Sequence, residues 1–191
     1  SLPAIAVLLV PSIALCVAIR VESPGFPIYS QKRVGRIGRG GEVRTFDMYK
    51  FRSMSADADE RLADLAELNE ADGPLFKIKD DPRVTRIGKF IRKHSIDELP
   101  QFLNCLMGQL SCVGPRPPLP SEVAQYDGRA MRRLSVKPGL TGYWQVSGRS
   151  DTTFDDMVDL DLAYIEERSF LVDLRVIAKT VTAMFTGKGA C

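Results

Sequence analysis

The longest apolar run of the chain lies at its start, where the eighteen residues 2–19 contain no charged side chain. A helix of that length extends about 27 Å, slightly less than the ~30 Å hydrocarbon core of a bilayer. Pro11, in the middle of the run, removes one helical hydrogen bond, and the hydroxyl of Ser12 can satisfy a freed backbone group in lipid. The pattern predicts a kinked membrane helix that either spans the bilayer or enters and leaves it on the same face.

Period-two and helical patterns predict the rest of the fold. Residues 28–34 and 42–51 are predicted as two short strands that form a β-hairpin through a glycine-rich connection. Apolar positions three or four residues apart predict helices over residues 55–70, 82–93, 97–107, 121–133 and 171–186, the last ended by Gly187. Residues 113–120 and 137–149 show neither period and are predicted as extended or loop segments. We therefore expect a mostly helical α+β protein with one small hairpin.

Composition indicates the number of domains and the redox compartment. With 191 residues, 45% hydrophobic and 26% charged, the chain can form one globular domain behind its apolar start, with boundaries at 1–22 and 23–191. The chain has no initiator Met, so we expect it to be part of a longer protein. Its four cysteines lack the short spacing of zinc or redox sites, which indicates a reducing compartment.

Charge is distributed unevenly along the chain. Residues 20–52 carry eight Lys or Arg and three acids, whereas residues 55–72 carry seven acids and one Arg. Basic residues beside an apolar segment are attracted to anionic lipid and favour the cytoplasmic side of a membrane. The basic block contains no recognisable nucleic-acid-binding module, so nucleic acid is not an expected partner. Residues 82–93 combine an apolar stripe with basic flanks, which fits either a membrane surface or packing against the core.

Asp97 and Glu98 are the candidate reactive groups. Ser95 followed three residues later by Glu98 matches a capping box, which predicts that both carboxylates lie in the first turn of a helix. A helix N-terminus favours carboxylates, phosphates and their metal complexes. One carboxylate can then attack phosphorus while the other holds Mg²⁺, although simple complementation of the helix dipole also explains the pair.

Six short segments follow one another in a characteristic order. They are Tyr49–Met54, Asp81–Gly88, Ser95–Gln101, Val113–Pro117, Lys137–Gly142 and Trp144–Arg149. One such segment is not specific by itself, but the ordered set resembles the bacterial sugar transferase family, the monotopic polyprenyl-phosphate phosphoglycosyl transferases. The resemblance implies transfer of a sugar-1-phosphate from a UDP-sugar to polyprenyl (undecaprenyl) phosphate through a covalent phosphosugar intermediate. UMP is released, and the product begins exopolysaccharide, capsule or O-antigen assembly.

The resemblance also implies roles for single residues. Asp97 matches the nucleophile of the family and Glu98 its Mg²⁺ ligand. Substrate-binding positions are implied for Lys50, Arg52, Arg92, Arg116, Arg149, Asp161 and Asp173. For Asp161 and Asp173, helix-capping or salt-bridge roles stay equally open.

The same resemblance implies a location. It identifies the N-terminal helix as re-entrant, broken at Pro11 and Ser12, in the bacterial inner (plasma) membrane, with the catalytic domain on the cytoplasmic face. The family usually has serine before proline, whereas here the order is Val10-Pro11-Ser12. A homodimer is compatible with the family, and the final segments resemble its long-form subgroup, which favours UDP-galactose or UDP-glucose as donor.

Two other functions remain open. Asp159-Leu160-Asp161 superficially matches the metal-binding D-x-D pair of ordinary nucleotide-sugar glycosyltransferases, but the surrounding apolar spacing indicates a helix and not the end of a strand. The second alternative is a non-catalytic membrane scaffold that binds anionic lipid through its basic residues.

Overall fold

The computed structural model describes residues 2–38, 40–70, 73–76, 78, 80–147 and 152–186; Arg149 and Gly187 lie outside this set. The helices of the described part are α1 (Leu2–Glu22), α2 (Arg86–Lys93), α3 (Gln101–Leu106), α4 (Pro120–Val123), α5 (Gly128–Met131), α6 (Tyr143–Val146), α7 (Phe154–Glu167) and α8 (Phe170–Thr186). Its strands are β1 (Ile28–Ile37), β2 (Val43–Phe51), β3 (Ser111–Val113) and β4 (Gly139–Thr141). The predicted α+β class is confirmed.

The predicted hairpin is confirmed. Strands β1 and β2 pair antiparallel from Ile28 opposite Phe51 to Val34 opposite Thr45, and a register irregularity precedes the pair Ile37 and Val43. Strand β1 is therefore three residues longer than its predicted end at residue 34. Alternate side chains of β2, Phe46 and Met48, are buried against Leu110, as expected for a sheet with one face on the core.

A second sheet was not predicted. Strands β3 and β4 pair in parallel, with Ser111 opposite Gly139 and Val113 opposite Thr141. Strand β3 ends at the first residue of the predicted extended segment 113–120, and β4 lies within the predicted loop 137–149. The glycines that flank these strands allow the backbones to approach closely, because a Cβ added at Gly114 would lie 2.7 Å from the amide nitrogen of Gly139. Two sequence motifs that are distant along the chain thus lie side by side.

Two predicted helices differ in detail. Residues 55–70 contain a 3₁₀-helix, Glu60–Leu68, instead of a long α-helix. Residues 121–133 are divided into α4, α5 and a 3₁₀ turn, Arg132–Ser135. The division occurs where Asp127 accepts the backbone N–H of Ala130 at 2.7 Å, because this side chain caps a new helix.

Helix α1 is anchored to the rest of the domain at its C-terminal end. It continues through Pro11 and ends at Glu22, where the sequence predicted the domain boundary. Ile19 packs with Phe51 and Ile91, and the Glu22 carboxylate accepts the first two backbone N–H groups of α2, at 2.9 and 3.0 Å. Within the described part of the chain, no helix combines the length and the apolar composition needed to cross a membrane. The re-entrant path of α1 stays a prediction.

The packing of α2 against the end of β2 leads to a stability prediction. A Cβ at Gly88 would overlap the Ser53 carbonyl group and lie 2.8 Å from its carbon. We expect Gly88→Ala to lower the free energy of unfolding by about 1–3 kcal/mol, because backbone cannot move aside easily. Gly128→Ala is the matched control, since nothing lies within 4 Å of its added Cβ. Equal urea midpoints for the two variants would contradict this packing.

Candidate active site

Asp97 and Glu98 lie in a 3₁₀ turn, Ile96–Glu98, that precedes α3. The predicted capping box is wrong: Ser95 has a left-handed backbone conformation, with φ 53°, and its side chain caps no helix. The predicted continuous helix over residues 97–107 is wrong as well. The reason is Pro100, which has no backbone N–H and whose ring would clash with the carbonyl of Ile96 in an α-helix. The turn before it is therefore 3₁₀, with the N–H of Leu99 donating to the carbonyl of Ile96 at 3.1 Å.

The two carboxylates have different surroundings. Asp97 is only 7% exposed, whereas Glu98 is half-buried and its Oε1 lies 3.0 Å from Nζ of Lys50 at the end of β2. Burial raises the pKa of Asp97 to about 6; Lys50 and Arg92 oppose the rise, and Glu98 adds to it. Asp97 is thus a poorly solvated carboxylate that remains largely ionised at pH 7, which are the properties of an activated nucleophile.

Arg92 approaches this pair from α2. Its Nε donates to Oγ of Ser53 at 2.8 Å. Burial lowers the pKa of Arg92, while the charges of Asp97 and Asp81 act in the opposite direction. Arg92 and Asp97 therefore interact electrostatically, and a substrate contact of Arg92 stays a prediction.

Arg116 projects from the proline-rich turn between β3 and α4. Its guanidinium grips Glu122 with both terminal nitrogens, at 2.9 and 3.3 Å, and lies 5.9 Å from the ring of Trp144. Burial acts to lower the pKa of Arg116, but Glu122, together with Tyr126 and Asp161, acts in the opposite direction and the pKa is raised. Glu122 is fully buried and also accepts the backbone N–H of Leu119 at 3.0 Å, so it fixes both Arg116 and the turn.

Asp161 supports the same turn from inside the protein. Asp161 and Arg133 are 0% and 1% exposed and form an ion pair of 2.7 Å. Arg133 also donates to the hydroxyl of Tyr126 at 2.6 Å and to the carbonyl of Arg116 at 3.4 Å. Asp161 therefore has the salt-bridge role that the sequence left open, and it lies behind the Arg116 turn, away from solvent.

Asp173 is a predicted substrate-binding residue whose contacts in the structure do not include Asp97 or Glu98. It accepts a hydrogen bond from the Tyr164 hydroxyl at 2.9 Å, in a cleft that also contains Lys137 and Arg168. Burial and Asp173 together raise the pKa of Tyr164. A substrate contact of Asp173 stays a prediction.

Arg52, also predicted to bind substrate, has a structural contact instead. Its guanidinium donates to the carbonyls of Ser23 and Pro24, the latter at 3.0 Å, and so ties the end of α1 to the end of β2. Arg149 lies outside the described residues.

The D-x-D match does not form a paired metal site. Asp159 and Asp161 both lie in α7, as the apolar spacing indicated, but Asp159 is exposed and pairs with Arg129, whereas Asp161 is buried against Arg133. In the described ranges, no three His, Cys, Asp or Glu side chains cluster as a metal-binding group. Asp97 and Glu98 supply carboxylate oxygens, which are ligands that Mg²⁺ prefers, and a cation at this pair stays a prediction.

Arg33 is a residue of the site that the sequence reasoning missed. It is 9% exposed and donates to the carbonyl of Pro117 at 3.0 Å and to Oε1 of Gln31 at 2.7 Å. Lys32 and Arg36, its basic neighbours on β1, are exposed, and the sequence analysis counted all three only as part of the basic block of residues 20–52. The alternation of side chains along a strand could have identified Arg33, because it places Arg33 and Lys32 on opposite faces of β1.

Comparison with known proteins identifies relatives for this arrangement. The family model described as bacterial sugar transferase matches residues 1–187. A galactosyl transferase, CpsE, of Streptococcus agalactiae is 49% identical over 180 residues, which are 93% of this chain and 39% of that protein. An undecaprenyl-phosphate galactose phosphotransferase of Salmonella typhimurium is 41% identical over 180 residues, which are 90% of this chain and 36% of that protein.

A shorter relative is matched along most of its length. The exopolysaccharide production protein ExoY of Sinorhizobium fredii is 39% identical over 176 residues, which are 90% of this chain and 76% of that protein. The chain thus spans less than two fifths of the Streptococcus and Salmonella relatives, but about three quarters of ExoY. Since the family model covers nearly all of its residues, the chain belongs to the bacterial sugar transferase family.

Proposed function

We propose that this chain transfers a hexose-1-phosphate from a UDP-hexose to polyprenyl phosphate and releases UMP. The observation that carries the proposal is the buried Asp97 carboxylate beside the Glu98–Lys50 ion pair. Galactose as the sugar is supported by the names of the Streptococcus and Salmonella relatives, and an undecaprenyl acceptor by the name of the latter. The name of ExoY supports a role in exopolysaccharide production.

The reaction requires two displacements at one phosphorus atom. An oxygen of Asp97 attacks the phosphorus that carries the sugar, and the bond to the bridging oxygen breaks, so that UMP leaves with that oxygen. A phosphate oxygen of the polyprenyl phosphate then attacks the same phosphorus. The bond to Asp97 breaks, the carboxylate is regenerated, and a polyprenyl diphosphate sugar is formed.

Basic residues around Asp97 and Glu98 reduce the electrostatic repulsion between these carboxylates and the substrate phosphates. Lys50 and Arg92 act electrostatically on Asp97, and Arg116 lies on the turn held by Glu122. Cations that are held in place before the reaction stabilise charge on the transferring phosphoryl group without reorganisation. Arg116 can in addition meet phosphate oxygens through more than one N–H group.

Magnesium is the cofactor that suits these donors. Mg²⁺ binds through one or two carboxylates together with substrate phosphates and keeps several waters, so an adjacent pair without a third protein ligand suffices. Glu98, next to Asp97, would hold the ion. When bound, it would neutralise charge on the diphosphate.

The proposed location at a membrane rests on helix α1. We infer that α1 lies in the inner membrane as a re-entrant helix and that the catalytic domain lies on the cytoplasmic face. Exposed apolar side chains on its described part, Val10, Ile13, Val17 and Val21, support this. Ile96 and Leu99, which flank the reactive pair, pack against the cluster around Ile19, so a lipid-borne phosphate at the surface would be near Asp97. Homodimer formation stays a prediction.

Nucleotide analysis separates the three functions. With UDP-galactose, Mg²⁺ and undecaprenyl phosphate in detergent micelles, we expect UMP to appear in a one-to-one ratio with lipid-linked sugar phosphate. Release of UDP would contradict the proposal and indicate an ordinary glycosyltransferase. Membrane binding without nucleotide release from any UDP-hexose would indicate a scaffold.

A further inference from the structure

Arg33 is a buried cation without an acidic partner of its own. Its two terminal nitrogens donate to neutral oxygens, those of Pro117 and Gln31, and its buried Nε has no hydrogen-bond partner. None of the ion pairs found in the described part of the chain includes Arg33. An unpaired charge that is withdrawn from water lowers the stability of a fold.

A neutral donor would satisfy the local contacts at lower cost. The bond to Pro117 fixes the turn next to Arg116, and the backbone N–H of Val34 already supports that turn by donating to the carbonyl of Pro118 at 2.8 Å. An amide side chain could donate to one carbonyl without bringing a charge into the interior. Local structure therefore explains the hydrogen bonds of Arg33 but not its charge.

The other charged residues of the site show that Arg33 lacks a carboxylate counter-charge. The other cations of the site have carboxylate neighbours: Lys50 has Glu98, Arg92 acts on Asp97, and Arg116 is held by Glu122. Four cations thus face three carboxylates, with Arg33 in excess.

Arg33 keeps its charge at neutral pH and interacts electrostatically with Arg116, Glu122 and Glu98. Burial lowers the pKa of Arg33 to about 9, and Arg116 acts in the same direction, while Glu122 and Glu98 oppose it. The group is therefore still protonated at pH 7. Its electrostatic neighbours are those of the reactive site.

We propose that Arg33 is a substrate-binding residue whose missing counter-charge is supplied by a phosphate group of a substrate. The inference rests on the proposed function and adds to it a buried cation beside the Arg116 turn. The diphosphate of the UDP-hexose and the phosphate of the polyprenyl acceptor share this chemistry, and the test has one arm for each.

Arg33→Gln removes the charge and keeps an N–H donor. We expect the KM for UDP-galactose or for undecaprenyl phosphate to rise about tenfold or more, since the attraction between the Arg33 charge and the phosphate is lost in a poorly solvated site. The urea midpoint should stay equal or rise, because a buried uncompensated charge has been removed. Arg33→Lys, which keeps the charge, should recover most of the affinity.

Lys32→Gln is the matched control. It removes the same charge from the neighbouring position of β1, where the side chain is exposed and pairs with Asp47 at 2.8 Å. Both KM values should stay within about twofold of the wild type. A rise in the first KM identifies the diphosphate as the counter-charge, and a rise in the second identifies the lipid phosphate.

Two results would overturn the inference. The first is an Arg33→Gln variant that unfolds at lower urea with both KM values unchanged, which would make Arg33 a structural residue. The second is an Arg33→Lys variant as impaired as Arg33→Gln, which would make guanidinium shape the cause. The proposed function fails separately, by the absence of UMP release from the wild type; equilibrium binding of UMP and of undecaprenyl phosphate to both proteins then still tests Arg33.

Discussion

Replacing Asp97 with asparagine is expected to abolish sugar-phosphate transfer, with kcat reduced about 10⁴-fold or more. The amide has nearly the same shape but cannot attack phosphorus. Initial rates of UMP release from UDP-galactose, at saturating undecaprenyl phosphate, measure the effect. Asp155→Asn, an exposed carboxylate in the first turn of α7, is the control and should leave kcat unchanged.

The stability of the Asp97→Asn variant distinguishes a lost nucleophile from a lost fold. Burial raises the pKa of Asp97 to about 6, so the ionised group is less favourable in the folded state than in the unfolded chain. This penalty is fully present above pH 6 and disappears as the pH falls towards the ordinary value near 4. At pH 7 the variant should therefore unfold at an equal or higher urea concentration. A folded variant that retains turnover within tenfold of the wild type would exclude Asp97 as nucleophile.

The second large effect is expected at the Arg133–Asp161 pair. Asp161→Asn leaves the 1% exposed guanidinium of Arg133 without a counter-charge, and we expect a loss of about 3–5 kcal/mol in the free energy of unfolding. For a chain of this size the melting temperature falls by roughly 6–20 °C. Differential scanning calorimetry of the wild type and the variant measures the shift.

Asp159→Asn is the control for this loss. It lies two residues away on α7, but its side chain is exposed, so the change should stay within about 0.5 kcal/mol. The double variant Arg133→Met/Asp161→Leu should recover much of the stability, because both buried charges are removed together. Equal melting temperatures for Asp161→Asn and Asp159→Asn would contradict the structural role of the pair.

Elements that are long enough to repeat their pattern several times were predictable from the sequence. Residues 28–51 alternate around a glycine-rich connection, and α8 repeats its apolar positions every three or four residues. Strands β3 and β4 have three residues each, too few to show a period, and they form only because Gly114 and Gly139 allow their backbones to meet. Such pairing depends on contacts between distant segments, which a local pattern does not report.

The candidate site was predictable only in its central residues. The ordered motifs indicated Asp97, Glu98 and Lys50, and the structure brings these three together. The capping box failed because the sequence cannot show that Ser95 adopts a left-handed conformation. Arg33 was missed because basic residues in a strand are usually solvent-facing, and its burial depends on the proline turn packed over it.

The covalent intermediate on Asp97 is the central claim, and mass spectrometry of the peptides from the digested protein tests it most directly. The protein is incubated with UDP-galactose and Mg²⁺ without polyprenyl phosphate, and is then quenched and digested. We predict an added mass of one hexose phosphate on the peptide that contains Asp97, lost again when undecaprenyl phosphate is supplied. Turnover without any adduct, or an adduct on a different residue, would contradict the account.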